Sequence, residues 1–345
     1  VSLRDLYVMA AWTWHDASMT SLGTIYRSGG VSNDATPQGV TDLLNSGEFF
    51  WLCVESVEDG SKDLLSNTFG FHPLAVEDAV RFGQRPKIDE YDGFTYWVAH
   101  GLDAQGQLAE VHMFIGKTFV VTVSPHCEAI FHEVHERLAH HPPKDISPMA
   151  ITVAYLVLDH LVDSYFEPLA TLDDHIDTLE DDILKQPTEQ QLGDLFAMKR
   201  QLVGYRKSIT PQRDLMARVL SGVDSLDQMT DEDLRYFRDL YDHLIRISDL
   251  VDSYRDLVTG AVDTHISMVS NRLNVIMKQL TIIATVFLPL SFLTGFFGQN
   301  FGYMVNGMQA HAWGFWVFGI GTEVAATTGL LLYGRRNGWF GGPSA

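Results

Sequence analysis

Two long apolar runs close the chain, Leu280–Phe297 and Trp313–Tyr333, and the polar turn Gly298-Gln299-Asn300 ends the first. Each run is about 20 residues, enough for a helix to cross a hydrocarbon layer roughly 30 Å thick. The pattern predicts two membrane spans, 280–300 and 313–333, joined by an outer loop at 301–312. No Lys, Arg, Asp or Glu occurs from Phe301 to Ala312, whereas Arg272 and Lys278 precede the first run and Arg335 and Arg336 follow the second. By the positive-inside rule the loop is external and both termini are cytoplasmic, with 334–345 a basic tail.

Upstream the period changes. Phe49–Val54, Thr95–Leu102, Glu110–Ile115 and Thr118–Val123 are short and rich in β-branched and aromatic residues, and read as strands. Gly116-Lys117 between the last two suggests a type II′ hairpin turn. Its Gly-Lys-Thr is not a phosphate loop, because the required upstream glycine is missing. Helical patterns at Pro73–Arg81 and Glu128–His140 complete an α/β domain over 1–141. After His141-Pro142-Pro143, Ser147-Pro148 opens a helix that runs to Lys185, and Thr188 with Gln191 forms a capping box for the next. The span 142–229 is thus expected to be a helical hairpin. Its first arm carries Asp159, Asp163, Asp173, Asp174, Asp177, Glu180, Asp181 and Asp182.

From Thr230 to Phe297 helical periodicity persists, with Pro289 the only proline. Such a rod would be about 100 Å long, with 230–279 in the cytoplasm. A helix of that length cannot bury its apolar face within one chain, so several copies are expected to bundle. One face reads, backwards from Asn300, Gly295, Ser291, Leu288, Ala284, Leu280, Met277, Asn274, Ser270, Ile266, Asp263. That mixture suits a water-filled pore with an apolar constriction between Met277 and Leu288, and equally a close-packed bundle seam.

Charge narrows the partners. The chain has 24 basic and 44 acidic residues, a net charge of -20. Beyond Leu280 only Glu323, Arg335 and Arg336 are charged, so the acidic surplus precedes the spans. It repels phosphate backbones, which disfavours nucleic acid, and either attracts divalent cations or simply solubilises the surface. With Cys53 and Cys127 as the only cysteines, no disulfide framework is expected. Val1 in place of an initiator Met suggests a trimmed N-terminus, and no signal-peptide pattern follows. No nucleophile-base pair or metal-ligand triad stands out, so an enzyme is not expected.

Tyr254-Arg255-Asp256, Ser270-Asn271, Asn274, Met277-Lys278, Leu280–Thr285, Phe287, Pro289-Leu290 and Gly298-Gln299-Asn300 together resemble the CorA family of divalent-cation transporters. Tyr236–Asp239, Tyr241-Asp242-His243, His72-Pro73-Leu74, Glu77-Asp78 and Gln84–Lys87 extend the resemblance over nearly the whole chain. It implies a funnel-shaped homopentamer in the inner or plasma membrane: an α/β cytoplasmic domain, a long-helix stalk and two transmembrane helices, the first lining the pore. The cargo implied is Mg²⁺, with Co²⁺ or Ni²⁺ also passing. Gly298, Gln299 and Asn300 would form the selectivity filter, where neutral amides hold an ion through its waters. Taken alone, a Gly-Xaa-Asn at a helix end reads as a C-cap. Regulatory cation sites between subunits map to Glu77 and Asp78 facing Asp239, with Asp163 from the hairpin.

Two departures bear on the cargo. Gln299 stands where the family usually has Met, and Met304-Val305-Asn306-Gly307 lacks the acid common in the outer loop. Glu323, within the second span, is either a proton-binding group or a hydrogen-bonded acid near Thr327. The first option points to proton-coupled Zn²⁺ transport of the ZntB type as the alternative function. His311, in the outer loop, is a lone imidazole. A third option, a membrane-anchored sensor that conducts nothing, leaves Asn300 and the polar stripe unexplained.

Overall fold

The structure is a computed structural model and describes residues 22–27, 30–32, 35–55, 59–125, 127–140, 149–224, 226, 229–299, 302–308, 311–337 and 339. Asn300, His141-Pro142-Pro143 and Ser147-Pro148 lie outside these. The chain forms two compact units, one from residues up to Glu180 together with Gln190–Ala261, the other from Asp181–Glu189 together with residues from Val262 onward.

The first unit is built on a seven-stranded sheet. Its strands are β1 (Thr24–Arg27), β2 (Gly30–Ser32), β3 (Phe50–Val54), β4 (Lys87–Tyr91), β5 (Phe94–Leu102), β6 (Leu108–Gly116) and β7 (Phe119–Val123), in the order β2-β1-β3-β7-β6-β5-β4. β3 runs parallel to β7, and all other neighbours are antiparallel. Side chains alternate across the sheet. Phe50, Leu52, Val54, Tyr96, Phe114 and Val121 pack beneath α1 (Pro37–Ser46), α2 (Asp59–Asp63, continued by the wider turn Leu64–Thr68) and α3 (Pro73–Val80). Trp51, Trp97, Val111 and Met113 are buried outside that cluster, on the face that α5 (Met149–Asp163) covers. Gly101 of β5 makes this approach possible, because a Cβ there would stand 2.7 Å from the Leu161 side chain. The helix α4 (Cys127–His140) precedes α5.

Four details differ from the sequence reading. β1, β2 and β4 were not expected, being short or highly charged. The β6–β7 turn centres on Lys117-Thr118, since Ile115 pairs with Val120, and Gly116 does not take the positive φ of a type II′ turn. A Cβ at Gly116 would lie 2.5 Å from the Phe119 ring, which explains the glycine instead. The arm expected as one helix to Lys185 is two, α5 and α6 (Phe166–Lys185). At the break, Ser164 Oγ donates to Leu161 O (2.6 Å) and accepts from Leu102 N (2.7 Å), tying the chain to the end of β5. Finally, the boundary expected at residue 141 falls inside the first unit, because α5 lays its apolar residues on the sheet.

α7 (Glu189–Leu220) lies along the start of α8 (Asp233–Phe297), with Arg206 Nε 3.2 Å from Asp252 and Lys199 Nζ 3.3 Å from Thr259. Thr230 and Asp233 cap α8 reciprocally: Asp233 N donates to Thr230 Oγ1 (3.3 Å), and Thr230 N donates to Asp233 Oδ2 (2.8 Å). The helix has 65 residues, about 98 Å at 1.5 Å per residue.

Among the described residues, three helical stretches are long and apolar enough to span a membrane: Met149–Lys185, Asp233–Phe297 and α9 (Ala312–Arg336). The most apolar window of the first is 72% buried inside the protein, whereas those of α8 and α9 are 0% buried. The first is therefore a core helix, whereas the other two keep the length and uncovered apolar surface that crossing a membrane requires.

Candidate transport path and cation-sensing cluster

In the second unit, α8 and α9 each carry one half-covered stripe. On α8 it is Ile282, Thr285, Val286, Pro289, Leu290, Leu293 and Phe297, and on α9 it is Phe318, Gly319, Thr322, Glu323, Ala326, Thr327 and Leu330. Both recur with helical period, so the two stripes face each other. The hydrogen bond Thr294 Oγ1 to Glu323 Oε1 (2.8 Å) confirms the pairing. Asp263, Ile266, Ser270, Asn274, Met277, Leu280, Ala284, Leu288, Ser291 and Gly295 are all exposed in the single chain. At 100° per residue, Leu288, Ser291 and Gly295 lie on the side of α8 away from α9.

Glu323 meets a partner other than the one expected. The Thr327 hydroxyl donates to the backbone carbonyl of Glu323 (2.8 Å), and the carboxyl group reaches Thr294 on α8. Thr294→Val keeps the side-chain volume and removes this bond. It is expected to lower stability by about 1 kcal/mol, read as a lower thermal midpoint in detergent, with no such loss when Glu323 is already Leu. Beyond Thr294 the helix closes with Gly298 N to Thr294 O (2.9 Å) and Gln299 N to Phe296 O (3.3 Å). Gly298 and Gln299 are exposed, and Gly298 does not take the left-handed conformation of a glycine C-cap.

A carboxylate cluster lies in the first unit. Asp159 and Asp163, one turn apart on α5, converge with His243 of α8 so that one ligand atom from each lies within 4.8 Å of the others. His243 Nδ1 is 3.1 Å from Asp163 Oδ1. Asp159 is buried and ion-paired to Arg137 of α4. Burial, with the Asp159 charge second, raises the Asp163 pKa above the ordinary aspartate value, and His243 and Arg137 offset this only partly. Burial keeps neighbouring His160 below the usual histidine pKa despite Glu133. These oxygens and the imidazole can ligate a divalent ion.

Asp239 is exposed one turn before His243, so it shares that face of α8. Glu77 and Asp78, on α3, do not belong to this cluster: Arg81 Nη1 is 2.7 Å from Glu77 Oε1, and Lys87 Nζ is 2.7 Å from Asp78 Oδ2. Asp159 and His243 were missed as site residues, although the i, i+4 spacings Asp159–Asp163 and Asp239–His243 were available in the sequence.

The sequence model of the family described as "CorA-like Mg2+ transporter protein" matches residues 46–336. The chain belongs to the CorA family. It is 35% identical over 276 residues to the cobalt/magnesium transport protein CorA of Thermotoga maritima, covering 79% of this chain and 77% of that one. It is 28% identical over 315 residues to the zinc transport protein ZntB of Pectobacterium atrosepticum, covering 88% and 92%. The complete structure of the CorA magnesium transporter from Methanocaldococcus jannaschii superposes with a TM-score of 0.77 at 21% identity, covering 93% of this chain and 99% of that one, so the fold is shared. As a CorA-family protein the chain is an integral membrane transporter of divalent cations and not an enzyme.

Proposed function

We propose that the chain is one subunit of a homopentameric channel that admits Mg²⁺, and also Co²⁺ or Ni²⁺, and closes when cytosolic Mg²⁺ fills its regulatory sites. The observation that carries this reading is the stripe from Asp263 to Gly295, polar or small at Ser270, Asn274, Ala284, Ser291 and Gly295, and exposed in the single chain. Neighbouring copies would close that face into an aqueous path, with Met277, Leu280 and Leu288 as the apolar constriction and Gly298, Gln299 and Asn300 at the outer mouth. Two spans with both termini cytoplasmic follow from the uncharged loop and the flanking basic residues.

Regulation belongs to the carboxylates. Glu77 and Asp78 of one subunit would face Asp239, Asp163 and His243 of the next. Empty, the opposed acids repel; filled, the cation bridges subunits and favours the closed state. The similarity to a cobalt/magnesium transporter supports the cargo.

The test is ion flux into liposomes that hold the purified protein, comparing Mg²⁺ with Zn²⁺, with and without a pH gradient. Mg²⁺ entry driven by membrane potential and indifferent to pH is the expected result. Zn²⁺ movement that requires the proton gradient would replace this reading with carriage of the ZntB type, and would make Glu323 the first residue to change.

A further inference from the structure

Lys87, at the start of β4, sits among acids. Its Nζ lies 2.7 Å from Asp78 Oδ2, 2.6 Å from Asp89 Oδ2 and 5.3 Å from the centre of the Tyr96 ring. The cleft around it is also lined by Glu90 and Asp224. Arg218 holds Asp224 Oδ1 at 2.7 Å. Asp78 and Asp89 therefore share one ammonium, and the Arg218–Asp224 pair stands at the same cleft. Asp224 is only 8% exposed, and its Oδ2 is buried without a hydrogen-bond partner among the described residues. A buried carboxylate oxygen left unpaired is costly and calls for a cation or a donor.

We propose that Lys87 is a tethered counter-ion that competes with divalent cations for Asp78 and so sets the cation concentration at which the regulatory site fills. The inference rests on the reading of Asp78 as a regulatory carboxylate. An ammonium at hydrogen-bond distance occupies one oxygen of Asp78 and repels an arriving dication. Binding then becomes an exchange in which the dication takes Asp78 and the ammonium keeps Asp89. No buried charge is stranded by the exchange, which removes the cost that usually attends breaking a half-buried pair. A lysine ammonium is charged throughout the neutral range, so the competitor stays cationic. Asp89 has a defined part as well, as the resting partner of the displaced ammonium.

The experiment titrates the cytosolic face of the full-length protein in liposomes with Mg²⁺ and reads the concentration that halves the flux. Lys87→Gln is expected to lower that concentration about tenfold, within the usual 5–150-fold range of coupling between sites. Lys87→Arg should behave like the parent, because it keeps the charge; that rescue separates competition from a merely structural role. In the Asp78→Asn background, Lys87→Gln should have no further effect. If Asp78→Asn shifts the response while Lys87→Gln leaves it unchanged or raises the concentration, the competition is overturned and the regulatory site stands. If Asp78→Asn leaves the response unchanged, both fall. Mg²⁺ titration calorimetry on the same proteins gives the affinities directly, so a variant that no longer conducts still decides the matter.

Discussion

Asn300→Leu is expected to abolish cation flux while the protein still inserts and assembles. Mg²⁺ holds its water tightly and prefers oxygen around it. A mouth that selects it must therefore accept hydrogen bonds from the hydrated ion, which a ring of amide carbonyls does and a ring of Leu cannot. A hydrogen bond to a charged group contributes about 1.5–3 kcal/mol. Losing about 3 kcal/mol at the point of entry already slows passage more than a hundredfold, and a ring loses several such bonds together. α8 ends at Phe297, and Gln299 follows in a tight closing turn with its side chain exposed. The Gln299 amide thus sits where the helix stops, at the expected outer boundary of the membrane, and Asn300 is the next residue in the sequence. Gln299→Met, by contrast, restores the family's usual residue and should leave flux within a few-fold of the parent. Both are read by Mg²⁺ uptake into liposomes, with the assembled mass checked by light scattering. Parent-like uptake through a correctly assembled Asn300→Leu protein would remove Asn300 from the ion path.

What could be read in advance follows from how local each signal is. The two apolar C-terminal helical stretches and the long helix were legible because their apolar and helical patterns persist over dozens of residues and meet no stop. Strands β3, β5, β6 and β7 were legible because they lie inside the sheet, where both faces demand apolar side chains; β3 is buried at every position. β4, Lys87-Ile88-Asp89-Glu90-Tyr91, sits at the sheet edge and spends three of five positions on charge. Its strand character comes from pairing with β5, which no window of sequence displays. The break at Ser164 was hidden for a similar reason, since the hydroxyl bonds to Leu102, 62 residues away. For the site, Asp163 was named from family likeness, but its partner His243 lies 80 residues further on. Only the fold brings them together. Lys87 was visible as part of a motif, yet its relation to Asp78 and Asp89 is a matter of distance alone.

Leu280→Asn is expected to hold the path open at cytosolic Mg²⁺ concentrations that close the parent, raising residual flux at least tenfold. The exposed stripe of α8 changes character at Asn274, beyond which Met277 and Leu280 present apolar side chains. A narrow apolar ring expels water, and an ion cannot cross where water does not stand. Carbonyl and amino groups at that level give water something to bond, and the dewetted barrier collapses even when the helices hold their closed spacing. Leu280→Ile keeps the apolar ring and should close normally. The same substitution to Asn separates the two readings that the sequence left open. If the stripe were only a seam between helices, the introduced amide would be buried polar packing: assembly would weaken or be unchanged, and no leak would appear. A leak that divalent cations carry, and that high cytosolic Mg²⁺ does not block even with the proposed regulatory Asp78 intact, places Leu280 on the water-filled face and downstream of the proposed sensing carboxylates. A fully closed Leu280→Asn protein at high Mg²⁺ would move the constriction elsewhere on the stripe, with Leu288, 72% exposed in the single chain, the next position to change.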